Sequence, residues 1–249
     1  MSKFGKLLKY YYRLPWRLWG PVNVLLSRKF TDRYKFRKSH VGKNTYIDPT
    51  VSILGWRNVL IGNNSVLSED VWLNINHREE GIIRIKIGNN CHIGKRNFFS
   101  AGPLINLKDF CFTGIDCHFL GCGHHTESPM VPYIATGLTE GDIIEIGVNC
   151  WLTTSVTVMQ GVKIGHGSVI GSRSVVLNNI PSFSIAVGNP CRVIKRYDFK
   201  NDKWIDVQDW SEELNSYIPA EIDYLKLLNE KNSDISLALI SSSRRFGWI

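Results

Sequence analysis

The sequence predicts a mainly β solenoid, a parallel β-helix of triangular cross-section. Three observations predict it. From Ile146 an aliphatic residue recurs at every sixth position, through Leu152, Val158, Ile164, Ile170 and Val176. Four residues after each stands a mostly small or β-branched residue: Cys150, Val156, Val162, Ser168, Ser174 and Ile180. The same phase recurs upstream in pieces. A period of six fits neither an amphipathic helix nor plain strand alternation. It fits a short strand, a turn and a short strand again, three to a coil, with aliphatic residues inside and small residues near the corners.

The upstream pieces justify the earlier coils in order. Val41, Ile47 and Ile53 form one run, with Thr45 and Val51 in the second position. Ile61, Leu67 and Leu73 form the next, with Ser65 and Val71. Ile87, Ile93 and Phe99 follow, with Cys91, Asn97 and Pro103, and then Leu107, Thr113 and Phe119, with Cys111 and Cys117. This accounts for four of the six cysteines, since Cys91, Cys111, Cys117 and Cys150 all fall on the small inward position. Cys122 and Cys191 lie outside the phase, and neither has the CxxC spacing of a metal site.

Solenoids carry function where the repeat is interrupted. The runs break at Ile53–Ile61, at Leu73–Ile87, which contains Asn74, Asn76 and His77, and at Phe99–Leu107. The longest break, Phe119–Ile146, contains GCGHHTESPMVPYIATGLTEGD. Its apolar Met130, Val131, Tyr133 and Ile134 argue for order, and a loop of this length is usually functional. His124 and His125 sit at its root.

Residues 143–197 read IIEIGVNCWLTTSVTVMQGVKIGHGSVIGSRSVVLNNIPSFSIAVGNPCRVIKRY. This stretch resembles the C-terminal half of the sugar O-acetyltransferases of the hexapeptide-repeat family, of the maltose, galactoside and colanic-acid type. Trp151 after IGVNC, GVKIGHGSVIGSRSVV and the exit motif AVGNPCRVIKRY carry the likeness. The resemblance implies a left-handed β-helix, an acetyl-CoA groove between subunits of a homotrimer, and no metal. It makes His124, after Gly123, the matching general base, with His125 as a second candidate. It places acetyl-CoA along Trp151, Ser172, Arg173, Ser174 and Asn178, with the phosphates near Arg192, Lys195 and Arg196. The chain departs from the pattern in three places. Leu177-Asn178 stands where Thr-Lys is usual, Arg173 where Gly is usual, and Ser100 roughly where maltose-type enzymes carry a substrate-contacting Asn.

The implied chemistry is direct transfer from acetyl-CoA to a sugar hydroxyl, with a neutral histidine taking the proton and backbone N–H groups stabilising the oxyanion. The expected acceptor is a surface polysaccharide or its precursor, lipid-linked if the protein meets a membrane. Glu127 and Asp116 are both candidates to orient the histidine. The alternatives are transfer to an amino sugar or another acceptor, and a non-catalytic scaffold. A zinc site joining His92, His118 and His124 is disfavoured by the groove motif. His92, His118 and His166 read as outward residues on the surface.

Flanking this domain, residues 41–197 with the loop 120–145, are two segments of other character. Residues 1–40 hold eleven Lys and Arg against Asp32, while the remainder of the chain carries nineteen basic and twenty-one acidic residues. Phe4, Leu7, Leu8, Tyr11 and Tyr12 share one helical face in this arm. Two readings stand: a helix at an anionic membrane surface or a cap on the open end of the solenoid. The near-neutral body excludes a nucleic-acid role. Arg13 and Arg17 interrupt any signal-peptide core, so the expected location is the cytoplasm, with peripheral contact at the inner face of the membrane. Residues 198–249 lose the period; Glu221–Glu230 predicts a helix with Ile222, Leu225 and Leu228 inward.

Overall fold

The computed structural model describes residues 35–231. The chain divides into two units, residues 1–40 and 41–249. In the first, only 35–40 is described, and 35–39 is helical. The amphipathic face expected in the arm lies outside the described residues.

The second unit is a parallel β-helix. Its first coil is β1 (Tyr46–Ile47), β2 (Ser52–Leu54) and β3 (Val59–Ile61). The second is β4 (Val66–Leu67), β5 (Trp72–Ile75) and β6 (Ile85–Ile87), and the third β7 (His92–Ile93), β8 (Phe98–Ala101) and β9 (Ile105–Leu107). Next come β10 (Phe112–Thr113), β11 (His118–Leu120) and β12 (Ile144–Ile146), then β13 (Trp151–Leu152), β14 (Thr157–Met159) and β15 (Lys163–Ile164). The last coil holds β16 (Val169–Ile170) and β17 (Val175–Val176) and closes with a bridge from Ile164 to Ile180. Strands three apart in order pair in parallel, which builds one face from β1, β4, β7, β10, β13 and β16, a second from β2 through β17, and a third from β3 through β15.

The first face continues beyond the solenoid. β18 (Ser184–Val187) joins it in parallel, and β19 (Arg192–Asp198) and β20 (Lys203–Asp206) extend it antiparallel into a nine-stranded sheet. The domain boundary expected at residue 197 therefore cuts the end of β19. Helix α1 (Glu221–Lys231) follows.

The six-residue period is visible as an interior column on each face. Ile61, Leu67, Ile87, Ile93, Leu107, Phe119, Ile146, Leu152, Val158, Ile164, Ile170 and Val176 are all buried at 1% exposure or less. Phe99 and Phe119, one coil apart, stack at 4.4 Å. Filling an axis with such side chains is worth about 1.5–3 kcal/mol each, and no coil buries its own residues without its neighbours. Cys91, Cys111, Cys117 and Cys150 occupy the inward corner position. Burial pushes the Cys117 thiol up to about 11 and the Cys150 thiol up to about 12, so neither is a nucleophile near neutrality.

Two of the three corners are uniform tight turns with one residue at positive φ. From the third face to the first these are Asn44, Asn64, Asn90, Phe110 and Asn149. From the first face to the second they are Asp70, Arg96, Asp116, Ser155 and Arg173. Asn and Asp tolerate this region best, which explains their frequency here. The third corner, from the second face to the third, is where the chain varies in length. It carries residues 55–58, 76–84, 102–104, 121–143, 160–162 and 177–179 in successive coils. All breaks in the period therefore fall on one edge of the prism.

Candidate active site

The root of the 121–143 loop is a narrow hairpin. Thr139 N–H donates to the Gly123 carbonyl at 2.9 Å, and Gly123 N–H donates to Thr139 Oγ1 at 3.1 Å. His124 pairs with Leu138 in an isolated antiparallel bridge, and Asp142 N–H donates to the Gly121 carbonyl at 3.2 Å. Gly141, at φ 71°, lets the two arms close: a Cβ there would lie 2.0 Å from the Gly121 oxygen. This neck holds His124 on the variable edge, exposed, with no side-chain hydrogen bond among the described residues.

His125 is differently placed. Its Nδ1 lies 3.1 Å from Glu127 Oε1, and its carbonyl accepts from Thr136 Oγ1 at 2.9 Å. The His125 bond holds the Glu127 carboxyl below its ordinary range. Asp116 pairs instead with Arg96, through Nε at 2.7 Å and Nη2 at 2.8 Å, and that pairing lowers its pKa. Neither expected carboxylate therefore faces His124.

The expected cofactor residues fall into three groups. Trp151 stands on the outer side of the first face, 46% exposed and stacked on Phe112 at 6.0 Å and 9°. Register carries this outer column from Trp151 through Val169 and Ile185 to Lys195. Three ladder steps separate the ends, about 14 Å at about 4.8 Å per strand. Arg192 pairs with Val187 and lies on the same side as Lys195, because a bulge at Ile194 absorbs one residue between them. Lys195 lies 3.8 Å from Asp206, and Arg192 donates to the Cys191 carbonyl at 2.9 Å. Ser172 and Arg173 form the second group at the adjoining corner. Ser172 donates to Thr153 Oγ1 at 3.1 Å, and the Arg173 side chain is exposed without a partner among the described residues. Asn178 is exposed on the variable edge, the edge that bears His124.

Two expected contacts are corrected by the structure. Ser174 is fully buried: its hydroxyl donates to the Gly171 carbonyl at 2.7 Å and accepts from Gly188 N–H at 2.9 Å. It occupies the inward small position of its repeat and cannot reach a ligand. Arg196 lies on the opposite side of the bulged strand from Lys195, level with buried Ser184. Its guanidinium stacks on Trp210 at 3.8 Å and donates to Asn215 Oδ1 at 3.2 Å. It is committed to the C-terminal extension rather than to a phosphate, and burial lowers its pKa.

The remaining histidines also resolve. His92 and His118 stand on different faces, so within one chain they do not converge with His124. His92 is half-buried against Phe112 at 5.3 Å, and burial lowers its pKa. His166 is not a free surface residue: Nε2 donates to the Pro219 carbonyl at 3.1 Å, and Phe183 and Tyr224 enclose the ring. The same extension seats α1, though with a different inward face from the expected one. Glu221, Tyr224, Leu225 and Leu228 turn inward, while Ile222 is 61% exposed. Glu221 accepts from Val148 N–H at 2.9 Å and from Lys108 Nζ at 2.5 Å. A cavity of about 270 Å³ lies beside α1 against the third face, away from His124.

No family model matches the chain. It is, however, 32% identical over 157 residues to galactoside O-acetyltransferase of Escherichia coli K12, an alignment covering 56% of this chain and 70% of that protein. The chain belongs to the hexapeptide-repeat acetyltransferase family. Its β-helix is accordingly left-handed. It is also 39% identical over 115 residues to a Staphylococcus aureus (strain Mu50) protein named "Putative acetyltransferase", covering 46% of this chain and 56% of the other. The chain thus spans about half the length of such curated relatives. In fold it is similar to AntD, an N-acyltransferase from Bacillus cereus solved with dTDP and 3-hydroxybutyryl-CoA, at TM-score 0.57 and 21% identity, covering 82% of this chain and 97% of that one.

Sequence reasoning singled out Asn74, Asn76 and His77 as belonging to a break but gave them no role. The signal that could have found one is the position of the breaks. Each follows the second strand of its coil, so residues 76–84 share an edge with the 121–143 loop.

Proposed function

We propose that this protein transfers an acetyl group from acetyl-CoA to a hydroxyl of a sugar belonging to a surface polysaccharide or its precursor. The observation that carries the reading is His124, an exposed imidazole with no side-chain hydrogen bond among the described residues, held by a glycine neck on the variable edge of a family β-helix. A neutral imidazole there takes the hydroxyl proton as the acceptor oxygen attacks the thioester, a contribution of about 10²–10⁴-fold. No acyl-enzyme is required, since the thioester is already activated, and the buried thiols cannot supply one. Trp151, Ser172, Arg173, Arg192, Lys195 and Asn178 are the residues to hold acetyl-CoA, and no metal takes part.

Within one chain, the column from Trp151 to Lys195 and the edge carrying His124 lie on opposite sides of the second face. A second copy set beside that face joins them, which supports a homotrimer with the site between subunits. Met130 at 88% and Ile134 at 90% exposure, both on the 121–143 loop, are apolar surface that such a neighbour covers. No described helix is long and apolar enough to cross a membrane, and a basic arm over residues 1–40 supports peripheral contact with an anionic bilayer.

The test is incubation with labelled acetyl-CoA and a panel of sugars, lipid-linked glycans and amino sugars, dTDP-linked ones included, beside His124→Ala. Label on a hydroxyl, lost in the variant, is the expected result. Label on an amine moves the reading to N-acyl transfer. Absence of CoA binding by the wild type overturns the enzyme reading altogether.

A further inference from the structure

The second break in the solenoid, between β5 and β6, lies two coils before the 121–143 loop and reaches it with two side chains. The Asn76 amide is fully engaged. Its two Nδ2 protons are shared among Ser100 Oγ at 2.9 Å, the Ala101 carbonyl at 3.0 Å and Cys122 Sγ at 2.8 Å, while its Oδ1 accepts from Asn74 at 2.8 Å. One half-buried side chain thus links three successive coils, ending two residues before His124. Its neighbour His77 donates from Nε2 to the Thr139 carbonyl at 3.0 Å. Thr139 is the residue paired with Gly123 across the neck.

The two contacts take hold of opposite arms of the same hairpin. Asn76 fixes the incoming arm at Cys122, and His77 fixes the outgoing arm at Thr139. Nothing else in the 76–84 segment touches the neck through a side-chain hydrogen bond. Among the described residues His124 has no side-chain hydrogen-bond partner to orient it, since Glu127 engages His125 and Asp116 engages Arg96. The position of its imidazole therefore depends on the backbone of the neck, and the neck depends on this brace.

We propose that Asn76 and His77 are positioning residues that clamp the two arms of the His124 hairpin and hold the imidazole in line with the acceptor hydroxyl. The inference rests on the base role proposed above for His124. A misplacement of about 1 Å at a reacting group can cost about 10²-fold in rate, whereas neither Asn76 nor His77 bonds any of the proposed cofactor residues through its side chain. The clamp therefore acts on kcat rather than on acetyl-CoA binding.

Two measurements on the full chain test it. In acetyl transfer, Asn76→Ala, the isosteric Asn76→Asp and His77→Phe are expected to lower kcat at least tenfold, with KM for acetyl-CoA within about twofold. His77→Gln, whose amide can still donate to Thr139, is expected to recover most of the loss. In hydrogen exchange, which needs no activity, the first three variants are expected to expose the amides of Gly123 and Thr139 while protection in β8 and β14 is kept. Unchanged kcat in Asn76→Asp and His77→Phe, or a rise in KM alone, overturns the proposal. So does unchanged exchange at the neck. If wild type transfers no acetyl group while the neck amides respond as expected, the clamp stands and the base role of His124 falls.

Discussion

Arg173→Gly should stabilise the fold and weaken the cofactor site at once. Arg173 sits at φ 59° on the corner where Asp70, Arg96, Asp116 and Ser155 stand in the preceding coils. A left-handed conformation costs a residue with Cβ about 1–2 kcal/mol. Glycine removes that strain but loses about 0.5–1 kcal/mol of extra chain entropy on folding. The net gain is therefore about 0.5–1 kcal/mol, and Tm should rise by about 1–4 °C, at about 2–4 °C per kcal/mol for a chain of this size. Arg96, at the equivalent corner three coils earlier, recovers its strain energy through the bidentate pair with Asp116. Arg173 has no such partner among the described residues, so its strain is unrecovered until something anionic arrives. A hydrogen bond from its guanidinium to a phosphate or pantetheine oxygen is worth about 1.5–3 kcal/mol, or about 10–100-fold in Kd for CoA.

Calorimetric titration of CoA and a thermal melt on the same sample read both signs. Arg173→Lys separates them, since it keeps both the strain and the charge: Tm should stay put and Kd should change by only a few fold. A lower Tm in Arg173→Gly would show that the side chain packs in the fold. An unchanged Kd would remove Arg173 from the cofactor site.

Three further outcomes follow from the geometry. His124→Ala should lower kcat by about 10²–10⁴-fold, while His125→Ala, whose imidazole already engages Glu127, should cost less than about tenfold; steady-state kinetics on the acceptor that the panel identifies decides between the pair. Gly141→Ala places a Cβ against the Gly121 oxygen at positive φ, so the neck must open, and kcat should fall well beyond any change in melting temperature. Glu221→Gln should cost about 1–2 kcal/mol, since it removes the charge-assisted bonds to Lys108 and Val148. Burial pushes the Glu221 carboxyl up, but those bonds outweigh it, so its pKa in the fold lies below that in the unfolded chain. The anchor thus contributes fully above the unfolded value of about 4.3 and is lost as pH falls below it. The difference in Tm between wild type and Glu221→Gln should be constant near neutrality and shrink on acidification.

The solenoid was legible in the sequence because its interior is repetitive. Ile146, Leu152 and Val158 each face the axis from a different side, and the period alone says so. The four corner cysteines were legible for the same reason. Function was legible only where a side chain's direction follows from the phase. Ser174 belongs to the inward set, and its removal from the cofactor list was implicit in its own position. The split between Lys195 and Arg196 was not legible, because a one-residue bulge at Ile194 reverses which side each takes, and no periodicity marks a bulge. Glu127 lies closer in sequence to His124 than most groups, yet bonds His125. Over two residues of loop, direction is set by the neck, and the neck is set by contacts 46 and 62 residues away in sequence.

This distribution of information has a structural cause. Two corners of each coil are constrained to a fixed length by stacking, since every strand on the first face must register with its neighbours above and below. The corner between the second and third faces is free of that constraint, because insertions there project outward without shifting the next strand. Variation therefore accumulates on one edge, and segments from different coils become neighbours there despite long separation in sequence. Residues 76–84 and 121–143 are two such insertions, and they meet because the coils between them add height but no rotation. A residue that clamps the loop need not come from the loop, nor from the coil that bears it. The edge lets a solenoid assemble a site from distant pieces while its core stays periodic. Substitutions at Asn76 and His77 should then alter catalysis without altering the melting of the coils beneath.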